Sequence, residues 1–366
     1  MPPLTWIQKT KIASRPAFRV GPISSVWRPW PLGVTFLLGT AAIILLSISL
    51  GIGDYPLSIP EVLRILVLGD GSRLERIAVL EWRLPRALTA IVVGSALGLS
   101  GALTQSVTRN PLASPDILGI TMGASAAAVG VITLSGRSGV IGSLAGWLGA
   151  VGLPTAALFG GVLTGALMWA LAWKNGLDPF RLVLVGIILS AVLNAAISFL
   201  LIRASLKDAT TAQFWLAGSL SASNWDRTIP ITLVLILCIP LILWMAFGVV
   251  ASSLGRDIAY ALGQNVTIQQ GVFLLIAVIL AAVAVAAAGP IGFVAFVAPQ
   301  LALRLCRLAT PPLIASALMG AVLLLAADVL TQVVLPGELP VGLLTSTLGG
   351  VFLVYLLINT SRKTSL

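Results

Sequence analysis

The stretch IQQGVFLLIAVILAAVAVAAAGPIGFVAFVAPQLALRL, residues 268–305, carries a single charged side chain, Arg304, near its end. One unbroken helix of about 38 residues would run ~57 Å, roughly twice the ~30 Å hydrocarbon core of a bilayer, so the run must turn back on itself. The place to turn is Ala287-Ala288-Gly289-Pro290-Ile291-Gly292, because proline cannot continue a helix and Gly-Pro-x-Gly is a turn sequence. The stretch is therefore two helices, or one helix followed by a re-entrant hairpin.

Runs of the same kind recur on both sides of it. Separating apolar runs at charged or Pro/Gly-rich breaks gives ten spans, near residues 32–53, 86–107, 117–134, 151–173, 181–202, 229–250, 268–288, 291–305, 312–333 and 339–359. The whole chain of 366 residues is 58% hydrophobic and 9% charged, with a mean hydropathy of +1.05. A soluble domain carries about 25% charged residues, so the composition excludes a soluble enzyme, a disulfide scaffold and a disordered chain. The fold class is all-α and integral to the membrane.

The 22 Lys and Arg exceed the 12 Asp and Glu by ten, but the cations sit singly in loops and at the ends, with no dense basic stripe for nucleic acid. They read as topology signals. With the N-terminus inside, Lys9, Lys11, Arg15, Arg19, Arg28, Arg109, Lys174, Arg181, Arg256, Arg304, Arg307, Arg362 and Lys363 are inner, 13 against 9 outer cations. Ten spans return the chain to the same side, so both termini are expected in the cytoplasm. Residues 1–31 read as a basic tail, 32–360 as the transmembrane domain and 361–366 as a short C-terminal tail. The first apolar run is too long for a signal-peptide core and lacks a small-residue cleavage site, so it is read as a retained span.

No histidine is present, which excludes His-based catalysis and His-ligated metal, and no Gly-x-x-x-x-Gly-Lys phosphate loop occurs. Cys238 and Cys306 lie inside apolar runs and read as packing residues. Five acids, Asp54, Glu61, Asp70, Glu75 and Glu81, fall in the loop between spans one and two. That loop is long enough for a short helix over residues 59–68, and reads either as a solvated connector or as a docking surface for a soluble partner.

Glycines recur four apart at Gly94 and Gly98, Gly142 and Gly146, and Gly161 and Gly165, the spacing that lets helices approach closely. Polar residues at membrane depth are few: Gln105, Asn194, Gln300 and Asp328, the last being the only acid within an apolar span. Each is either an interhelical hydrogen bond or a functional group. Between spans six and seven, residues 257–262 form a short amphipathic segment closed by Gly263, a helix-ending residue. It is either a turn in a connector or a helix that seats in a groove of a cytosolic partner.

Several ordered motifs carry a resemblance. Arg83-Leu-Pro-Arg-Ala-Leu88, Gly101-Ala-Leu-Thr-Gln-Ser-Val-Thr-Arg-Asn-Pro-Leu-Ala-Ser-Pro-Asp-Ile-Leu-Gly119, Phe214-Trp-Leu-Ala-Gly-Ser-Leu220 with Trp225, Ala261-Leu-Gly263, Ala288-Gly-Pro-Ile-Gly-Phe-Val294, Ala298-Pro299 with Arg304, Ala327-Asp328, and Leu339-Pro-Val-Gly342 with Gly349 resemble the signatures of the FecCD permeases. Those are membrane subunits of ATP-binding-cassette (ABC) importers for ferric siderophores, haem and vitamin B12, and the resemblance covers about residues 32–360.

It implies a ten-helix type II ABC importer permease fold and a permease that pairs with a second permease subunit, as a homo- or heterodimer. It also implies two cytosolic ATPase subunits, an extracytoplasmic substrate-binding protein, and location in a bacterial cytoplasmic membrane. No cofactor or metal is expected on this chain; ATP and Mg belong to the ATPase. Arg83 and Arg86 match positions that present guanidinium forks to acids of the binding protein. Arg256, Asp257, Ala261, Leu262 and Gly263 match the coupling helix that seats in the ATPase, with Asp257 where the family commonly has Glu. Asn194, Ser198 and Thr345, on spans five and ten, are expected along the path. Two departures stand out: Gln300 where many members have His, and Gln332 where vitamin B12 permeases have an outward basic residue. The form Asn110-Pro-Leu-Ala-Ser-Pro-Asp-Ile-Leu-Gly119 is nearer the siderophore type, with haem, cobalamin or an ATP-independent secondary transporter as alternatives.

Overall fold

A computed structural model describes residues 8–12, 15–20, 23–26, 28–53, 55–135, 147, 152–173, 178–253, 256–334 and 339–364. Its helices are α1 (Pro29–Gly51), α2 (Ile59–Leu68), α3 (Arg73–Ile77), a π-helical segment (Ala78–Arg83), α4 (Leu84–Thr108), α5 (Ile120–Leu134), α6 (Leu153–Ala172), α7 (Pro179–Ile202), α8 (Leu206–Leu216), α9 (Trp225–Ser253), α10 (Arg256–Ala261), α11 (Val266–Ala288), α12 (Val294–Cys306), α13 (Leu313–Val333) and α14 (Val341–Thr364). Among the described residues, α1, α4, α6, α7, α9, α11 and α13 are long and apolar enough to cross a bilayer, and α5, α12 and α14 are shorter apolar helices. Seven candidate spans and three shorter apolar helices thus follow one another in the order of the ten expected apolar runs. Below, the inner end is the one at which α1 begins.

The segment read as a tail is not featureless. Residues 8–12, 15–20 and 23–26 form a three-stranded antiparallel sheet, β1-β2-β3, with Lys9 opposite Phe18 and Arg19 opposite Ser24. Thr10, Ile12, Phe18, Val20 and Ile23 are strand formers separated by polar residues, a period-two pattern that the density of positive charge obscures. No helix packs substantially on this sheet among the described residues.

Close helix contact at glycine organises the bundle. Without a hydrophobic force between helices in lipid, backbones must approach for dispersion and polar contacts to hold them. A Cβ at Gly94 or Gly98 would collide with the backbone of Gly320 or Ser316, so α4 lies directly on α13. Gly161 and Gly165 leave no room for a Cβ against the side chains of Ala282 and Val278 of α11, and Gly160 meets the Gly123 backbone of α5. Gly142 and Gly146 lie outside the described residues. The helices α4 and α11 are consequently the buried centre, while α1, α7 and α9 are peripheral with broad exposed apolar faces.

The long apolar run resolves into two helices. Helix α11 ends at Ala288, Gly289 takes φ +73°, and α12 begins at Val294 after Phe293, a non-glycine residue at φ +67°. Proline supplies the first turn of several helices, α1 at Pro29 and α7 at Pro179 among them. The short helix expected over residues 59–68 is α2, which opens on a Ser58–Glu61 capping box and ends at Gly69 in the left-handed region. At the inner end Trp30 pins α1, its Nε1 donating to the Leu305 carbonyl at 2.8 Å while the Arg307 guanidinium lies 4.6 Å from the ring centre.

Candidate functional site

The two arginines assigned to docking flank the start of α4 at the outer end, Arg83 as the last residue of the π-helical segment and Arg86 in the first turn of α4. Arg86 is three residues into α4, and Asp328 is five residues short of the end of the antiparallel α13, so the α4–α13 seam brings them to one depth. Arg86 Nη2 and Nε donate to Asp328 Oδ1 at 2.9 and 3.1 Å, and Nε also lies 3.2 Å from Oδ2. Gln332, one turn along α13, donates to Oδ2 at 2.7 Å. The Asp328 side chain is wholly buried and that of Arg86 is 25% exposed. The guanidinium fork that the sequence assigns to a partner's acid is thus occupied by a carboxylate of the same chain. Arg83 is also turned inward, with Nη1 donating to the Leu50 carbonyl at 2.9 Å and Nη2 to the Tyr55 carbonyl. It ties the start of α4 to the end of α1.

Three of the motifs quoted separately above meet at the outer end. Ser219 N donates to the Ala288 carbonyl at 2.9 Å, and Gly342 N donates to the Gly218 carbonyl at 3.0 Å. Gly218, at φ +68°, has no room for a Cβ against the Pro290 carbonyl, and Gly342 has none against Ala217. The loop after α8, the α11–α12 turn and the start of α14 are thereby clasped backbone to backbone. Sequence reading lists these glycines without bringing them together; their shared signal is that each stands where a backbone must come close.

At the inner end, α10 covers Arg256–Ala261 and continues as a turn, Leu262 N donating to Ile258 O and Gln264 N to Ala259 O, both at 3.0 Å. Gly263, at φ +76°, ends it in the left-handed region as its position suggests. Ala259 is buried with Val266, whereas Ile258 and Leu262 are each half exposed one turn apart and form an exposed apolar face. The side chains of Arg256 and Asp257 lie outside the described set. Asn265 caps α11 by accepting from Ile268 N, so the short helix hands directly to the buried centre of the bundle.

Gln105 and Gln300, noticed separately in the sequence, are partners. Gln300 Nε2 donates to Gln105 Oε1 at 2.7 Å, and Gln105 Nε2 donates to the Phe296 carbonyl at 3.2 Å. They join α4 to α12 and line a cavity of about 240 Å³ with Ser106, Arg109, Thr310 and Pro311. The neighbouring loop, residues 109–119, is held by the Asn110 side chain accepting from Leu112 N at 2.9 Å, and by Gly186 of α7, where a Cβ would strike Leu118. Asp116 accepts from the Thr121 hydroxyl in the first turn of α5.

The path residues divide. Asn194 and Ser198 are exposed one turn apart on α7, polar groups on an apolar outer face. Thr345 is buried, its hydroxyl donating to the Gly342 carbonyl at 3.1 Å, so it belongs to the interior of the subunit beside the outer clasp. Arg304, read from the sequence as an inner cation, lies over the rings of Phe352 and Tyr355 at 5.9 and 5.7 Å and joins α12 to α14 near the inner end.

Residues 41–359 match the FecCD transport family. Over 332 residues the chain is 42% identical to the ferric enterobactin transport system permease protein FepG of Escherichia coli (strain K12), which covers 90% of this chain and 97% of that one. It is 36% identical to the iron(3+)-hydroxamate import system permease protein FhuG of Bacillus subtilis (strain 168), with the same coverage of both chains. Among solved structures, a metal-chelate type ABC transporter in an inward-facing conformation superposes with a TM-score of 0.77 at 29% identity, covering 90% of this chain and 99% of the other. With the signature motifs assembled at the outer clasp and the α4–α13 seam, and a match running through all ten spans, the chain belongs to the FecCD transport family.

Proposed function

We propose that this chain is the permease subunit of an ATP-driven importer that carries ferric-siderophore complexes across a bacterial cytoplasmic membrane. The observation that carries the reading is the 42% identity to a ferric enterobactin permease across nearly the full length of both chains. Relatives named for hydroxamate and citrate complexes of iron surround it in the same similarity range and support the cargo class. The chain pairs with a second permease subunit, and the exposed faces of α7 and α14 are the surfaces available for it. Both termini are cytoplasmic. A binding protein delivers the chelate to the outer face formed by residues 55–86, and Asn194 and Ser198 face the path. Two separate ATPase subunits bind ATP and Mg and close against α10, whose half-exposed Ile258 and Leu262 form the seat. A short rigid helix joined directly to α11 moves as a unit with it, which is what a power stroke requires.

The test is uptake of labelled iron in iron-starved cells with and without the gene, offered as catecholate, hydroxamate and citrate complexes beside haem and cobalamin, with ATP depleted in parallel. Loss of one ferric chelate, only in energised cells, is the expected result. Loss of haem or cobalamin uptake alone overturns the cargo, and collapse with the proton gradient instead of with ATP overturns the mechanism. For the coupling helix, Leu262→Asp puts a carboxylate into an apolar seat, a loss of ~2 kcal/mol or roughly thirtyfold in ATPase docking. Uptake should fall accordingly while the permease remains folded in the membrane; normal uptake by this variant removes α10 from the coupling role.

A further inference from the structure

We infer that the N-terminal sheet is a binding element for anionic phospholipid headgroups at the bilayer surface where α1 begins. Residues 8–28 contain Lys9, Lys11, Arg15, Arg19 and Arg28, and the first acid of the chain is Asp54, beyond the far end of α1. The strand register sets Lys9 opposite Phe18, Lys11 opposite Pro16, Arg15 opposite Ile12 and Arg19 opposite Gln8 and Ser24. No carboxylate exists within the sheet to neutralise any of them.

The tether is short. Val26 ends β3 and Pro29 begins α1, three Cα steps that reach at most about 11 Å. The start of α1 is in turn fixed at the inner surface of the bundle by Trp30, through its bond to Leu305 and the Arg307 stack. The near end of the sheet is thus held to within about one and a half Debye lengths of the start of α1, the screening length being about 8 Å at physiological salt. A basic segment immediately beside a span gains roughly fivefold in association with an anionic surface per cation. Among the described residues no helix competes for the sheet by packing substantially on it. This inference needs only that α1 spans the membrane; it stands whichever iron chelate is the cargo.

The test uses the full chain in nanodiscs, with Thr10→Cys as a reporter in a Cys238→Ser, Cys306→Ser background and a membrane-impermeant maleimide as probe. Labelling should slow about tenfold between zwitterionic discs and discs with about 30% anionic lipid. Salt at about 0.5 M should restore it, since the attraction is screened. Replacing Lys9, Lys11, Arg15 and Arg19 by Gln should abolish the lipid dependence. The charge-preserving set Lys9→Arg, Lys11→Arg, Arg15→Lys and Arg19→Lys should keep it, which separates charge from any effect on the sheet's folding. Equal labelling in the two lipids overturns the inference. So does protection that appears only when ATPase subunits are added, since the occupant is then a protein.

Discussion

Arg86→Gln should destabilise the folded permease by about 3–5 kcal/mol, the usual consequence of removing one member of a buried ion pair. The cost falls on the partner left behind. Asp328 is wholly buried and would keep one side-chain donor, Gln332, to stabilise a full charge. The reverse exchange, Asp328→Asn, should be milder, because Arg86 is a quarter exposed at the outer end of α4 and can carry its charge toward the headgroups. Combining Arg86→Gln with Asp328→Asn replaces the pair by two amides that can bond to each other, so a coupling of about 1–3 kcal/mol should be recovered. The measurement is the unfolding midpoint of the purified permease in detergent, followed by tryptophan fluorescence, with the monodisperse fraction as a second readout. Stability of Arg86→Gln within error of the parent, together with lost uptake, would show that the arginine acts on the binding protein and not on the fold.

That pair also marks how far the sequence could be read. Each residue is conspicuous alone: Asp328 is the single acid within an apolar span, and Arg86 follows a proline at the head of another. What is missing from the sequence is the contact across 242 positions, which depends on which two helices share a seam. The seam was half visible, since Gly94 and Gly98 announce a close neighbour for α4, but Ser316 and Gly320 are equally good partners on paper for any other small-residue face. Gln105 and Gln300 repeat the lesson at the inner end. Elements whose signal is local were legible with their bounds, α2 through its capping box and α10 through Gly263. The N-terminal sheet was missed because its period-two pattern is short and its cations suggest solvation. The span of Thr345 is legible in the sequence, whereas its bond to the Gly342 carbonyl depends on the clasp at the outer end.

The seam itself yields the other large effect. In Gly98→Val the new side chain meets the Ser316 carbonyl and the Gly320 Cα, and at Gly94 the obstruction is the Gly320 backbone. A flexible side chain could rotate away; a helix backbone cannot, so α4 and α13 must separate along their length. Separation removes the close dispersion contacts that hold membrane helices together and lengthens the Arg86–Asp328 bonds at the outer end of the same seam. The expected loss is at or above the upper end of ordinary overpacking, about 3 kcal/mol or more, and it should appear as little or no monodisperse protein. Gly39→Val in α1 is the control, since no atom lies within 4 Å of a Cβ there. Valine is a better helix residue than glycine, so that exchange should cost nothing and can gain a few tenths of a kcal/mol. A conservative step, Gly98→Ala, should fall between them and be worsened by Arg86→Gln beyond the sum of the two, because both act on one interface. Equal behaviour of the Gly98 and Gly39 variants would mean that the α4–α13 approach does not limit the stability of the bundle.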